Sequence, residues 1–187
     1  MKRKNSSLSR EVPKRAKKLS VWRFILTYLL LTGAFFFVIG FKPIQNLVDI
    51  NGIYTYFIVL ISSKLLGAIG MPCTYHGSII QLPTISLDVL FGCNGLEAVL
   101  IYSIAVVSFP ARWVHKLLGI VVGFLIIQFI NIIRIVALAY SGVYYMSIFE
   151  VVHLYVAQGI MIAVSLGVFL LFLSYLNYEE RKEQSLT

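Results

Sequence analysis

The sequence has 187 residues, of which 59% are hydrophobic and only 13% are charged. Soluble domains carry about 25% charged residues, so this composition excludes an ordinary soluble protein and indicates an integral membrane protein. The formal net charge is +8, and the basic residues gather mainly at residues 1–23 and 112–116, beside apolar runs. Positive charge at such places sets membrane topology, so nucleic-acid binding is not needed to explain it.

The apolar runs predict an all-α polytopic membrane protein with about four transmembrane helices. The first run, residues 21–41, follows a basic tail and ends without a small-residue cleavage site, so we interpret it as a signal anchor. The later spans are predicted at about residues 96–109, 117–140 and 151–175. Each approaches the roughly 20 residues that a bilayer requires, although the second is short.

A further apolar segment, residues 54–70, carries Ser62, Ser63 and Lys64 in its middle. It is either a fifth span or an interfacial helix. If it lies on the outer surface, the basic tail, residues 112–116 and the C-terminal residues 181–182 all face the cytoplasm, as the positive-inside rule requires. We therefore expect four spans with both termini inside.

Residues 71–89 change from helical to extended character. β-rich residues surround a His76-Gly77 turn, and Pro83 limits strand pairing to an edge, so we expect a small external hairpin. This segment is either a plain connecting loop or a cap whose edge captures an extended peptide by strand addition. The predicted organisation is a basic cytoplasmic tail (1–20), the anchor (21–41), an external helix and cap (42–92), a three-helix catalytic core (93–176) and a cytoplasmic tail (177–187).

Three reactive side chains stand out in the apolar C-terminal half: Cys93, Arg134 and His153. An arginine inside an apolar span costs about 2.5–3.5 kcal/mol on insertion scales and by default marks a functional site. Arg134 lies about 17 residues into a span entering from the cytoplasm, which is roughly 26 Å up a layer of about 30 Å. Cys93 and His153 begin predicted helices that descend from the outer face. All three residues are thus expected at one depth, near that face.

Such a set of residues suits acyl transfer. A thiolate attacks a carbonyl, a guanidinium holds the oxyanion or the thiolate, and an imidazole moves protons. Taken singly, each residue also has an ordinary interpretation. Cys93 would be an apolar filler, Arg134 would reach to the headgroups, and His153 would anchor the interface.

The motif Cys93-Asn94-Gly95, followed by Asn131-Ile-Ile-Arg134 and then His153, resembles the exosortase/archaeosortase family of membrane cysteine transpeptidases. Gly-Cys-Asn-Gly-Leu-Glu-Ala is most similar to the exosortase H type. The resemblance implies that Cys93 is the nucleophile, Arg134 the electrostatic stabiliser and His153 the general acid/base. It also implies substrates with C-terminal sorting signals, made of an Ile-Pro-Thr-Leu-like motif, a membrane helix and a basic tail.

The resemblance further implies a bacterial inner-membrane enzyme with its active site on the periplasmic face, membrane lipids around it, and an unknown acceptor for the cleaved protein. The chain departs from the family in its small number of spans, in Asn94 where Ser is common, and in Glu97 where Arg is usual. Glu97 would orient Arg134 or His153, or form a structural pair. We expect Asn131 to support the site, and Glu150 either to orient the His153 ring or to be a solvated helix-start acid.

The sequence also leaves two other classes of function open. Cys73 and Cys93 both lie on the predicted oxidising side, as a thiol-disulfide oxidoreductase or a structural disulfide would need. A non-catalytic transporter or scaffold subunit is the other alternative. His76, His115 and His153 lie on different segments, so we expect neither a metal nor another cofactor.

Overall fold

The computed structural model describes residues 21–40 and 50–185, without the side chains of residues 38–40, 50 and 154. The predicted basic tail, the end of the signal anchor and the last two residues lie outside this range. Within it, the chain is mostly helical, as the composition predicts. In chain order the helices are α1 (Val21–Gly40), α2 (Ile50–Ala68), α3 (Leu96–Ser108), α4 (Trp113–Tyr144), α5 (Met146–Val151) and α6 (Ala157–Ser185).

Two of these helices are long and apolar enough to cross a membrane by themselves. They are α4, with 32 residues, and α6, with 29 residues. The apolar part of α1, Val21–Phe37, and the whole of α3 are shorter. At 1.5 Å per residue the 13 residues of α3 cover about 20 Å, less than the roughly 30 Å of hydrocarbon. The helical membrane class is therefore supported, and the count of four spans stays a prediction.

Close packing joins α3 to α4 through a glycine. Gly123 of α4 leaves room for the buried ring of Tyr102, because a Cβ at Gly123 would lie 2.1 Å from Cε1 of that ring. The Tyr102 hydroxyl donates to the carbonyl of Gly119 at 2.8 Å, one turn away on α4. An apolar core of α3, α4 and α6 side chains, including Val106, Ile127 and Phe172, surrounds this contact.

Polar contacts join α3 to α4 beside their short connection and join the connection to α6. Nζ of Lys116 donates to the carbonyl of Val107 at 2.7 Å and lies 4.9 Å from the centroid of the Trp113 ring. Arg112 forms a 3.1 Å ion pair with Glu183 near the end of α6. Both partners of that pair are exposed, so it contributes little stability. In the predicted topology this is the cytoplasmic end of the molecule.

At the opposite end of α4 lies a three-stranded antiparallel sheet in the order β1 (Thr74–His76), β2 (Ile79–Gln81) and β3 (Ser86–Asp88). The turn between β1 and β2 has Gly77 at φ +59°, which a glycine adopts without strain. The structure thus contains a hairpin around His76-Gly77 and adds a third strand after Pro83. Inward-facing Ile80 and Leu87 pack in a core that α2 and α4 complete.

The last helical segment differs from the predicted fourth span in both its start and its end. It begins at Met146, after a break at Tyr145, and passes through a π-helical segment at Val152–Val156 before α6. His153 therefore lies about two turns into this segment, not in its first turn. The helix continues to Ser185, through most of the residues predicted as a tail.

Candidate functional site

Two glycines shape the loop that carries Cys93. Gly92 has φ +89° and Gly95 has φ +79°, in the left-handed region that side chains rarely adopt. Between them the chain turns tightly, because the backbone N–H groups of Cys93 and Asn94 both donate to the carbonyl of Leu90, at 2.9 and 3.1 Å. This turn places the thiol immediately before α3.

Asn94 fixes the loop to a neighbouring helix. Its side chain has 0% exposure, and Nδ2 donates to Oδ1 of Asn51 and to Oγ1 of Thr55, each at 2.8 Å. Both acceptors belong to α2. The side-chain oxygen of Asn94 also accepts from the N–H of Leu96 at 3.0 Å, one of the N–H groups that a helix start leaves free. Asn94 therefore joins the cysteine loop, α2 and α3.

Arg134 lies beside the thiol. Its Nη2 is 4.0 Å from Sγ of Cys93, and the side chain is only 6% exposed. Nε and Nη1 are buried and have no hydrogen-bond partner among the described residues. A cation at this distance stabilises a thiolate, and its free N–H groups are donors of the kind that hold an oxyanion. The predicted meeting of Cys93 and Arg134 is present in the structure.

His153 approaches this pair without bonding to it. The ring stacks on Phe149, with 5.7 Å between centroids and an interplanar angle of 6°. Its Nδ1 is buried and unpartnered in the described part of the chain. The charge of Arg134 acts on the imidazole, so the two residues lie within electrostatic range. The structure therefore brings Cys93 and Arg134 into contact. His153 interacts electrostatically with Arg134 but is not bonded to the pair.

The two acidic candidates occupy different environments. Glu150 is exposed and does not bond to Nδ1 of His153, which agrees with the interpretation as a solvated acid and not with the orienting one. Glu97, on the first turn of α3, has its Oε2 3.3 Å from the position a Cβ would take on Gly92. It forms no ion pair with Arg134 within the described ranges.

A pair of buried amides lies against the start of α3. Gln128 and Asn131 are 6% and 0% exposed, and none of their side-chain nitrogen and oxygen atoms has a partner in the described ranges. A Cβ at Gly95 would lie 2.7 Å from Asn131 and 2.9 Å from Gln128. Asn131 was predicted from the sequence to support the site, whereas Gln128 was not. Its spacing is the available signal, because Gln128, Asn131 and Arg134 recur every three residues on one helix face.

A cavity of about 450 Å³ opens beside the loop. One end is polar, formed by the glycines of the cysteine loop with Glu97, Arg134 and Gln158. The remainder is mainly apolar and lies between α1, α3 and α6. Its lining there includes Phe24, Ile101, Ala105, Met161, Leu166 and Phe169. An apolar cavity with a few convergent polar groups is the usual form of a binding site.

Cys73 belongs to a different environment. Both cysteines are free, and the S–H of Cys73 donates to the carbonyl of Ser63 at 3.4 Å. Burial raises the pKa of the Cys73 thiol above its ordinary value, which keeps it protonated and a poor nucleophile at neutral pH. The structure therefore gives the two cysteines different surroundings and no bond between them.

The described residues contain no cluster suited to a metal. No group of three His, Cys, Asp or Glu side chains comes together there. His76 lies in β1 and His115 on the first turn of α4, where its Nδ1 is 3.2 Å from the hydroxyl of Tyr175. Among the three histidines, His153 is the one on which the charge of Arg134 acts.

Comparison with known proteins adds one finding. A family model described as transmembrane exosortase matches residues 18–173. This range includes the cysteine loop, all of α4 and the π-helical segment with His153. No curated protein and no solved structure matches the chain.

Proposed function

Because the chain belongs to the transmembrane exosortase family, we propose that it is a membrane cysteine peptidase or transpeptidase that cleaves C-terminal sorting signals of secreted proteins. The family identified from Cys93-Asn94-Gly95, Arg134 and His153 is confirmed by the match over residues 18–173. The H type, the Ile-Pro-Thr-Leu-like signal and the periplasmic orientation belong to the proposal.

The contact between Cys93 and Arg134 carries this proposal. In the first step the Cys93 thiolate attacks the carbonyl carbon of the scissile peptide, and a C–S bond forms. Buried N–H groups of Arg134 stabilise the oxyanion, and His153 gives its proton to the leaving amine as the C–N bond breaks. A thioester remains on Cys93. Water or an acceptor amine then attacks it, His153 takes up the proton, and the C–S bond breaks.

The position of His153 is compatible with this role. Its Nδ1 has no hydrogen-bond partner among the described residues, and catalytic hydrogen bonds are often long or poorly aligned before the substrate binds. The apolar cavity next to Cys93 also supports the proposal. It extends from the cysteine loop along α3, where the apolar segment that follows a sorting motif would lie.

A cell-based cleavage assay tests the proposed nucleophile. A reporter protein ending in Ile-Pro-Thr-Leu, an apolar helix and a basic tail is co-expressed with the wild type, Cys93→Ala or Cys73→Ala. We expect Cys93→Ala to reduce processing by at least about a thousandfold, because a missing nucleophile removes the covalent route. We expect Cys73→Ala to process the reporter like the wild type. In the wild type the Cys73 thiol is hydrogen-bonded to the Ser63 carbonyl, whereas the thiol beside Arg134 is that of Cys93.

Each variant is first shown by immunoblot to reach the membrane at the wild-type level. Continued processing by Cys93→Ala would disprove the cysteine mechanism. Equal loss in both cysteine variants, together with a Cys73–Cys93 disulfide in the wild type, would support the disulfide alternative instead.

A further inference from the structure

The outer edge of β3 carries free backbone groups. Val89 donates to the carbonyl of Ser78 at 2.9 Å, and the register pairs Leu87 with Ile80. In an antiparallel pair, hydrogen-bonded residues alternate along the strand. Leu87 and Val89 therefore direct their N–H and C=O groups toward β2. Ser86 precedes Leu87, and Asp88 lies between Leu87 and Val89. These two residues direct their N–H and C=O groups to the other side.

Nothing in the described part of the chain covers that side. β3 is the last strand of the sheet, and the backbone N–H and C=O of Ser86 and Asp88 form no hydrogen bond beyond the sheet. Both residues are exposed, whereas Leu87 between them is buried. Natural sheets keep edge strands short and charged to prevent unwanted pairing, and three residues with one aspartate fit that rule.

What distinguishes this edge is its place in the chain, because β3 leads directly into the cysteine loop. From Asp88 to Leu90 an extended chain advances about 7 Å. The turn from Leu90 to Cys93 brings its ends within about 7 Å of each other. The thiol-bearing residue thus lies within about 14 Å of Asp88, the length of a four-residue extended peptide.

The opposite edge of the sheet is β1, which does not lead into the cysteine loop. The same alternation applied to β1 leaves only Tyr75 directing its backbone groups outward, because Thr74 and His76 lie opposite Gln81 and Ile79 in the hydrogen-bonded positions. β1 also lies against α2. The two edges therefore offer a matched comparison within one small sheet.

We propose that the substrate's sorting motif adds to the free edge of β3 as a fourth strand, which delivers the following peptide bond to Cys93. This inference rests on the proposed function and specifies how the site holds its substrate. Because the peptide bond after the motif has to lie near Cys93, the motif runs parallel to β3, with its C-terminal end toward Asp88. Its residues one and three then both direct their backbone groups toward the free N–H and C=O groups of Ser86 and Asp88. In Ile-Pro-Thr-Leu the proline is residue two, so its missing N–H faces away from β3.

Proline substitutions on the enzyme test the backbone contacts. Ser86→Pro and Asp88→Pro each remove one outward N–H and leave the β2 ladder intact, and Tyr75→Pro makes the same change on the other edge. We expect each β3 variant to lower reporter processing by about tenfold, as for the loss of one buried hydrogen bond. Tyr75→Pro should retain wild-type processing. Ser86→Ala and Asp88→Ala keep the backbone N–H, so each should lose less processing than the matching proline variant. The alanine variants also show whether the Asp88 side chain, which accepts from Ser78 at 2.6 Å, matters by itself.

Changes in the reporter provide a test that does not depend on folding of an enzyme variant. With wild-type enzyme, Thr→Pro in the motif should block processing more strongly than Thr→Ala, because only proline removes a backbone N–H that faces β3. Pro→Ala should be tolerated at the backbone level and change processing less than Thr→Pro.

Wild-type processing by Ser86→Pro and Asp88→Pro, or equal losses in Tyr75→Pro, would overturn the strand-addition proposal. So would equal effects of Thr→Pro and Thr→Ala in the reporter. These results leave the requirement for Cys93 intact. Failure of the proposed function is a separate outcome, seen as continued processing by Cys93→Ala.

Discussion

At the scale of single residues, Asn94 shows how the thiol is held. Its three side-chain hydrogen bonds connect the cysteine loop to Asn51, Thr55 and the start of α3. The glycines on either side of Cys93 and Asn94 contribute no side-chain contacts to the loop. Removal of a buried amide with all of these partners destabilises the fold, because each buried partner that is left unpaired has lost its hydration without gaining a hydrogen bond.

We expect Asn94→Ala to destabilise the protein by about 1–3 kcal/mol and to lower reporter processing, because Asn51 and Thr55 lose their shared donor. Asn94→Asp keeps the acceptor for Leu96 and loses both donor contacts, so it should not restore processing. Thermal unfolding in detergent and the cleavage assay measure the two effects.

Ser174→Ala is the control for this experiment, since it removes a 3.0 Å side-chain bond within α6 only and Ser174 is not among the lining residues of the cavity beside Cys93. Equal losses in Asn94→Ala and Ser174→Ala would show that the link to α2 has no special importance.

At the scale of secondary-structure elements, glycines on α4 set its distance from neighbouring helices. Gly123 receives the Tyr102 ring and Gly119 receives the ring of Phe172, whose nearest atoms would lie 2.6 Å from a Cβ. In membranes, close van der Waals packing at small residues replaces the hydrophobic effect as a source of helix association. The packing of α3 and α6 on α4 thus depends on the absence of side chains at these two positions.

Gly123→Ala should therefore destabilise the protein by about 1–3 kcal/mol, because the buried Tyr102 ring has to move. Gly159→Ala in α6 is the matched control, since no atom of the described residues is recorded within 4 Å of its added Cβ. There the greater helix propensity of alanine should leave stability unchanged or slightly increased. Thermal unfolding of the two purified variants compares them, and a similar loss in both would contradict this account of the packing.

The apolar runs and their polar interruptions predicted which segments are helical and which residues share one end of the molecule. Side-chain direction explains part of that success. Cβ atoms on a helix tilt toward its N-terminus, so Arg134 reaches back along α4 to Cys93 at the shorter α3. The bond from Asn94 to α2 was not predictable, because it depends on how α2 packs, and the hydrophobic pattern does not specify that. The π-helical segment was also missed, since hydrophobicity alone does not mark one extra residue in a turn.

At the scale of the whole molecule, the reactive residues and the sheet lie at one end of α4 and the basic α3–α4 connection lies at the other. Arg134 is 21 residues beyond Trp113, or about 32 Å along the helix, which is roughly the thickness of the hydrocarbon layer. The predicted orientation places the connection in the cytoplasm and the sheet outside.

Labelling of single cysteines tests this orientation. In a Cys73→Ala/Cys93→Ala background, His76→Cys reports on the sheet and Arg112→Cys on the basic connection, and both positions are exposed. A membrane-impermeant maleimide should label position 76 in intact spheroplasts and position 112 only after permeabilisation. Labelling in the reverse order would invert the proposed topology and place the candidate site in the cytoplasm.

The π-helical segment at Val152–Val156 has a consequence for how related sequences are aligned. A π-helical turn contains one residue more than an α-helical turn, so side chains before and after it differ in phase by about 100°. The direction in which His153 faces is therefore encoded by the number of residues in this segment as well as by their identity. Aligned as an uninterrupted α-helix, the segment from Met146 to Ser185 would assign the histidine to a different face from the one it occupies.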